Sequence, residues 1–133
     1  DYEIAKNISS WKSEIKTRWQ NVSLYLPEHS RPADFDGKSG EPLYLNVHAL
    51  LGDLSPEDVR VEVYYGKTGK DHSIINARTQ QMELVNAGEN GNFAFGANVL
   101  IPDAGEFSYT FRIYPYRGDL NDKFDLGLIK WVQ

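Results

Sequence analysis

The stretch Gly105-Glu106-Phe107-Ser108-Tyr109-Thr110-Phe111-Arg112-Ile113-Tyr114 decides the fold, because Phe107, Tyr109, Phe111 and Ile113 alternate with Ser108, Thr110, Arg112 and Tyr114. Successive side chains of a strand point to opposite faces, so this period of two describes a strand with one apolar and one polar face. The same period recurs upstream. Leu43, Leu45, Val47 and Ala49 alternate with Tyr44, Asn46 and His48, and Val59, Val61, Val63 and Tyr65 alternate with Arg60, Glu62 and Tyr64. Residues 80–86 and 92–99 read as two strands around Asn90-Gly91, a dipeptide suited to a tight hairpin turn. Pro102-Asp103-Ala104-Gly105 marks another turn, Leu126 to Val132 a short last strand, and Val22 to Leu26 a first one.

Two segments break this pattern. In residues 3–19 the period is helical: Ile4, Ile8, Trp11, Ile15 and Trp19 fall on one face at 3.6 residues per turn, and Asn21 is a stop. Residues 27–42, PEHSRPADFDGKSGEP, hold three of the six prolines and no apolar period, which reads as a loop; Gly66 to Asp71 reads as a second. Six or seven strands with turn signals between them, and no helical period after residue 20, predict a mainly β protein. The expected fold is an immunoglobulin-like antiparallel β-sandwich preceded by an N-terminal amphipathic helix. The division expected is a linker or docking helix over 1–21 and a sandwich domain over 22–133.

At 133 residues and 15.1 kDa the chain has room for one core. Nineteen acidic against fourteen basic residues give a net charge of -5, which disfavours nucleic acid and anionic membrane as partners. Cysteine is absent, in keeping with a reducing cytoplasm and excluding thiol chemistry. No apolar run is long enough to span a bilayer, and the N-terminus lacks the order of a signal peptide. Asn7-Ile8-Ser9 and Asn21-Val22-Ser23 match the glycosylation sequon by chance, the first inside the expected helix.

Motifs of catalysis are missing from this reading. His29, His48 and His72 lie in separate segments without metal-ligand spacing. Asp34, Asp36 and Gly37 faintly resemble a calcium loop, but the twelfth position is Leu45 where a bidentate carboxylate belongs. Ser55-Pro56-Glu57-Asp58 is a capping-box turn rather than a carboxylate pair for acid–base work. GKTGK at 66–70 fails the spacing of a phosphate-binding loop. Aromatic residues are plentiful, and Tyr64, Tyr114 and Tyr116 on the polar faces are candidates for contact with sugar rings.

Gly105 to Pro115, then Asp119-Leu120, then Leu126-Gly127-Leu128-Ile129-Lys130-Trp131, resemble the extreme C-terminus of bacterial and archaeal α-glucan phosphorylases of the glycogen/starch phosphorylase superfamily. That family ends in G-x-F-x-Y-T-x-R-V-x-P, a short acidic-Leu segment and LGL(I/V)xW. Leu54 to Gly66 looks like the matching upstream strand, and the helix with Trp11 and Trp19 is similar to the segment that joins the catalytic part to this tail. One departure is Tyr116-Arg117-Gly118, where family members often carry a His and a Pro. The resemblance implies a cytoplasmic, pyridoxal-phosphate-dependent enzyme that cleaves α-1,4-glucan with phosphate, its cofactor lysine and catalytic residues lying upstream. No catalytic, cofactor-binding or metal residue is therefore assigned in this chain. Its start at Asp1 rather than Met then fits an excised C-terminal domain. The expected role is a non-catalytic accessory domain that docks on the catalytic domains of the same polypeptide through Ile4, Ile8, Trp11, Ile15 and Trp19. The alternative is an α-glucan-binding module acting through Tyr64, Tyr114 and Tyr116.

Overall fold

A computed structural model describes residues 2–26, 34–37, 42–88, 91–100, 105–117 and 127–132. The helix α1 runs Tyr2–Arg18 and tightens into a 3-10 turn over Trp19–Asn21, after which Val22 turns extended. Nine strands follow among the described residues: β1 Ser23–Tyr25, β2 Asp34–Gly37, β3 Pro42–Leu50, β4 Val59–Thr68, β5 Ile74–Gln81, β6 Glu83–Ala87, β7 Asn92–Leu100, β8 Gly105–Pro115 and β9 Lys130–Trp131. They form two antiparallel sheets. The first has the order β1-β3-β7-β6; in the second, β8-β4-β5 is joined along the free edge of β8 by both β2 and β9.

Alternation explains why the sheets stack. Leu45, Val47 and Ala49 of β3 and Phe95 and Val99 of β7 face Val59, Val61, Val63 and Tyr65 of β4 and Phe107, Tyr109, Phe111 and Ile113 of β8, all buried. The mainly β sandwich with a leading helix is thus the fold that the alternation predicts. Where β4 begins, the Ser55 hydroxyl accepts the Glu57 N–H at 3.2 Å and the Asp58 carboxylate accepts the Ser55 N–H at 3.1 Å. This is the capping box expected there, closing a single 3-10 turn.

The structure corrects three local expectations. Residues 80–86 are not one strand: Met82 separates β5 from β6, buries its side chain and carries the chain from the second sheet to the first. The segment read as a loop over 27–42 contains β2, which pairs with β8 from Asp34↔Ser108 to Gly37↔Gly105. Gly66 to Asp71 is only in part a loop, because β4 continues to Thr68. Asn90 lies outside the described residues, but Gly91 has φ +75 between β6 and β7, as a tight turn there requires.

The helix is part of this core. Ile15 and Trp19 are buried among the sandwich side chains, and Trp11 is partly buried with its indole N–H directed to the Asp58 carboxylate at 3.4 Å. The C-terminal carbonyls of the helical segment, which have no partner within it, are met by Lys130 of β9. Its ammonium donates to the carbonyls of Trp19 at 2.9 Å and Val22 at 2.7 Å, with Gln20 at 3.4 Å. One lysine therefore ties the last strand to the C-terminal end of the helical segment.

Candidate functional site

Chemistry-bearing side chains collect on the outer face of the second sheet. Pairing places Arg112 of β8 between Glu62 of β4 and Trp131 of β9, and Tyr64 opposite Thr110 one step along. Arg112 donates twice to one Glu62 oxygen, from Nε at 2.9 Å and Nη2 at 2.7 Å. The Tyr114 hydroxyl donates to the other carboxylate oxygen at 2.8 Å. Glu62 is 6% and Tyr114 1% exposed, so this face carries a buried, mutually satisfied ionic cluster. Burial, and then the bond to the Glu62 carboxylate, push the Tyr114 phenol well above its ordinary range, which keeps it a donor at neutral pH. Further along the face, the hydroxyls of Thr68 and Ser108 bond each other.

Around this cluster stand the aromatic rings. Tyr64 and Trp131 meet edge to face with centroids 5.5 Å apart, and the Arg112 guanidinium lies 5.7 Å from both rings. Arg60 stacks over Tyr116 at 3.7 Å. Trp131 remains 43% exposed.

The three tyrosines of the expected platform stand in different surroundings. Tyr114 is on the outer face but buried and committed to Glu62, the ring of Tyr116 is covered by Arg60, and Tyr64 turns towards Trp131. The three are near one another without presenting a common stacking surface. Of the expected docking stripe, Ile15 and Trp19 pack inside their own sandwich and Trp11 is half-buried. Ile4 and Ile8 lie outside the residues whose side chains are described. Trp19 Nε1 is buried without a hydrogen-bond partner among the described residues.

Among the described residues no three His, Cys, Asp or Glu converge to hold a metal. His48 stacks against Tyr25 with centroids 5.2 Å apart, His29 lies outside the described residues, and so does the side chain of His72. Lys130, bound to its carbonyls, is not presented for imine formation with an aldehyde cofactor. No helix of the described residues is long and apolar enough to cross a membrane.

The outer face of the first sheet holds residues that the sequence reading passed over. Tyr44 of β3 pairs with Asn98 of β7, and its phenol end lies over Gly96, where a Cβ would stand 2.2 Å from the hydroxyl oxygen. Tyr44 is nevertheless 53% exposed. A groove of about 430 Å³ runs beside it, lined by Gln80, Glu83, Val85 and Asn98. The signal was in the sequence: a lone glycine inside the alternating run FAFGANVL marks a place where something approaches the backbone closely.

Comparison with known proteins places this geometry in a family. The model described as the glycogen phosphorylase C-terminal domain matches residues 19–133. Maltodextrin phosphorylase of Thermococcus litoralis is 31% identical over 134 residues, covering 98% of this chain and 15% of that protein. Glycogen phosphorylases of Mycobacterium bovis and Mycobacterium tuberculosis are each 23% identical over 135 residues, covering 96% of this chain. The chain thus spans 15% of the length of these relatives. No solved structure matches it. The chain belongs to the glycogen phosphorylase C-terminal domain family.

Proposed function

We propose that this chain is the non-catalytic C-terminal domain of a cytoplasmic, pyridoxal-phosphate-dependent α-glucan phosphorylase, a glycosyltransferase, and that it packs on the catalytic body and stabilises it. One observation carries the reading: a match over residues 19–133 to a phosphorylase domain family, by a chain that spans only 15% of relatives named maltodextrin or glycogen phosphorylase. The internal chemistry agrees. The Glu62 carboxylate accepts from both Arg112 and Tyr114, so the ionisable groups drawn together here hold the second sheet together. The pyridoxal phosphate of such an enzyme is assigned, from the family resemblance, to its catalytic domains upstream. Strand order supports the immunoglobulin-like form of the sandwich: β1-β3-β7-β6 over β9-β8-β4-β5 follows the A-B-E-D and G-F-C-C′ order of that fold.

The docking surface we assign is the aromatic face around Trp131 and Tyr64. Tryptophan, tyrosine and arginine in one patch are the residue types that dominate interfaces, and Trp131 is the exposed member. Because Trp19 belongs to the domain's own core, its removal would unfold the sandwich whatever the docking mode. Trp131→Ala is the discriminating change. In the whole enzyme it lowers the melting temperature by several degrees, whereas in this chain alone it changes stability little. Equal shifts in the two settings would overturn the docking assignment.

A further inference from the structure

The Glu62 and Tyr114 side chains on the second sheet's outer face are buried and bonded to each other, but the groove on the first sheet is open and differently built. Tyr44, with its phenol end resting on the Gly96 backbone, offers an exposed ring beside three carboxamide residues, Gln80, Gln81 and Asn98, and one carboxylate, Glu83. Asn98 is the direct cross-strand neighbour of Tyr44, and Glu83 that of Gly96. Gln80 is fixed at the rim, its Nε2 donating to the Asn98 carbonyl at 2.8 Å. Among the described residues the lining contains no Lys or Arg, so a phosphate or other anion finds no counter-charge from them. What matches is a neutral ligand with an apolar face and a rim of hydroxyls. A pyranose has both: its C–H face stacks on an aromatic ring, and adjacent hydroxyls bond to carboxamide and carboxylate groups. The volume lies within the range of small-molecule sites.

We infer that the Tyr44 groove on the outer face of the first sheet binds a neutral α-1,4-glucan chain, at a site remote from catalysis that holds polymer near the enzyme. The identity of the sugar rests on the phosphorylase reading; the ring-and-hydroxyl chemistry rests on the groove. Tyr44 supplies the stacking surface, and Asn98, Glu83 and the remaining amide oxygen of Gln80 orient the hydroxyls. Gly96 is required because any side chain there would displace the phenol.

The test is a titration of this chain with maltoheptaose to millimolar concentration, followed by amide chemical shifts. Binding in this groove moves the resonances of Tyr44, Gln80, Glu83 and Asn98 and leaves those around Trp131 in place. Tyr44→Ala weakens binding by roughly tenfold or more, and Gly96→Ala weakens it with the ring still present; unchanged spectral dispersion shows that both fold. No shift, shifts confined to the Trp131 face, or equal response to a β-1,4-glucan of the same length would each overturn the proposal. Phosphorolysis of maltoheptaose by the whole enzyme is assayed separately. Activity there without groove shifts sinks the groove alone, and groove shifts without activity sink the phosphorylase reading alone.

Discussion

The two outer faces of the sandwich come from the same alternating pattern and end in opposite states. On the second sheet, the outward positions of β4 and β8 hold Glu62 and Tyr114, buried, and Arg112, partly buried, with Arg112 and Tyr114 both bonded to the Glu62 carboxylate. On the first, the outward positions of β3 and β7 hold Tyr44 and Leu100, which are 53% and 62% exposed. Polarity alone does not set exposure: the more ionic face is the more buried one. A polar residue on a sheet face is covered when its neighbours can satisfy it, and an aromatic one stays open when its neighbour is a glycine that lets it lie down. The closed face therefore contributes rigidity, and the open face is where a ligand can be received.

That contrast is sharpest for Glu62. Truncating it leaves the Arg112 guanidinium in a poorly hydrated place, so Glu62→Ala is expected to cost about 3–5 kcal/mol, read from the denaturant midpoint. A loss under about 1 kcal/mol would mean that the cluster is solvated and the two faces are alike. Tyr114→Phe removes one bond to a charged acceptor and costs about 1–3 kcal/mol near neutral pH. It also carries a pH signature. The phenol is raised above its ordinary value of 10.0 on folding, so the folded chain keeps a proton that the unfolded chain releases. The stability this contributes is complete below pH 10 and is lost as pH rises towards the folded value. The natural chain should therefore lose stability more steeply above pH 10 than Tyr114→Phe does, and the gap between them should narrow. Parallel curves would contradict the burial of this hydroxyl.

On the open face the expected effects are small. In Gly96→Ala the added methyl meets only the far end of the Tyr44 side chain, which swings away, so stability changes by less than about 1 kcal/mol while the Tyr44 ring resonances move. Tyr44→Ala alters stability by about 0.5 kcal/mol or less, as measured by thermal or denaturant unfolding. A larger loss would show that Tyr44 is a packing residue and that the groove is structural.

The layered fold was legible because alternation is local. Phe107 to Ile113 announced their strand, Ser55 to Asp58 their cap, and Ile15 and Trp19 their helix face. Three features were not legible, each for a non-local reason. Met82 reads like any strand residue, and only the arrangement of both sheets makes it the crossing point. Asp34 to Gly37 lack an apolar period, so β2 is a strand only because the edge of β8 is there to pair with it. The burial of Tyr114 depends on Glu62, which is 52 residues away in sequence. The helix stripe showed the converse limit: periodicity correctly marked an apolar face on Ile15 and Trp19 but could not say that the sandwich itself would cover it.

Hydroxyl-radical labelling of side chains compares the two faces in a single measurement, with the whole enzyme set beside this chain alone. The account predicts that Trp131 is labelled in the isolated chain and protected in the whole enzyme. Tyr44 should be labelled equally in both and protected only when maltoheptaose is added. Protection of Tyr44 by the enzyme body itself, with Trp131 unchanged, would contradict the account, because the two faces would then have exchanged roles.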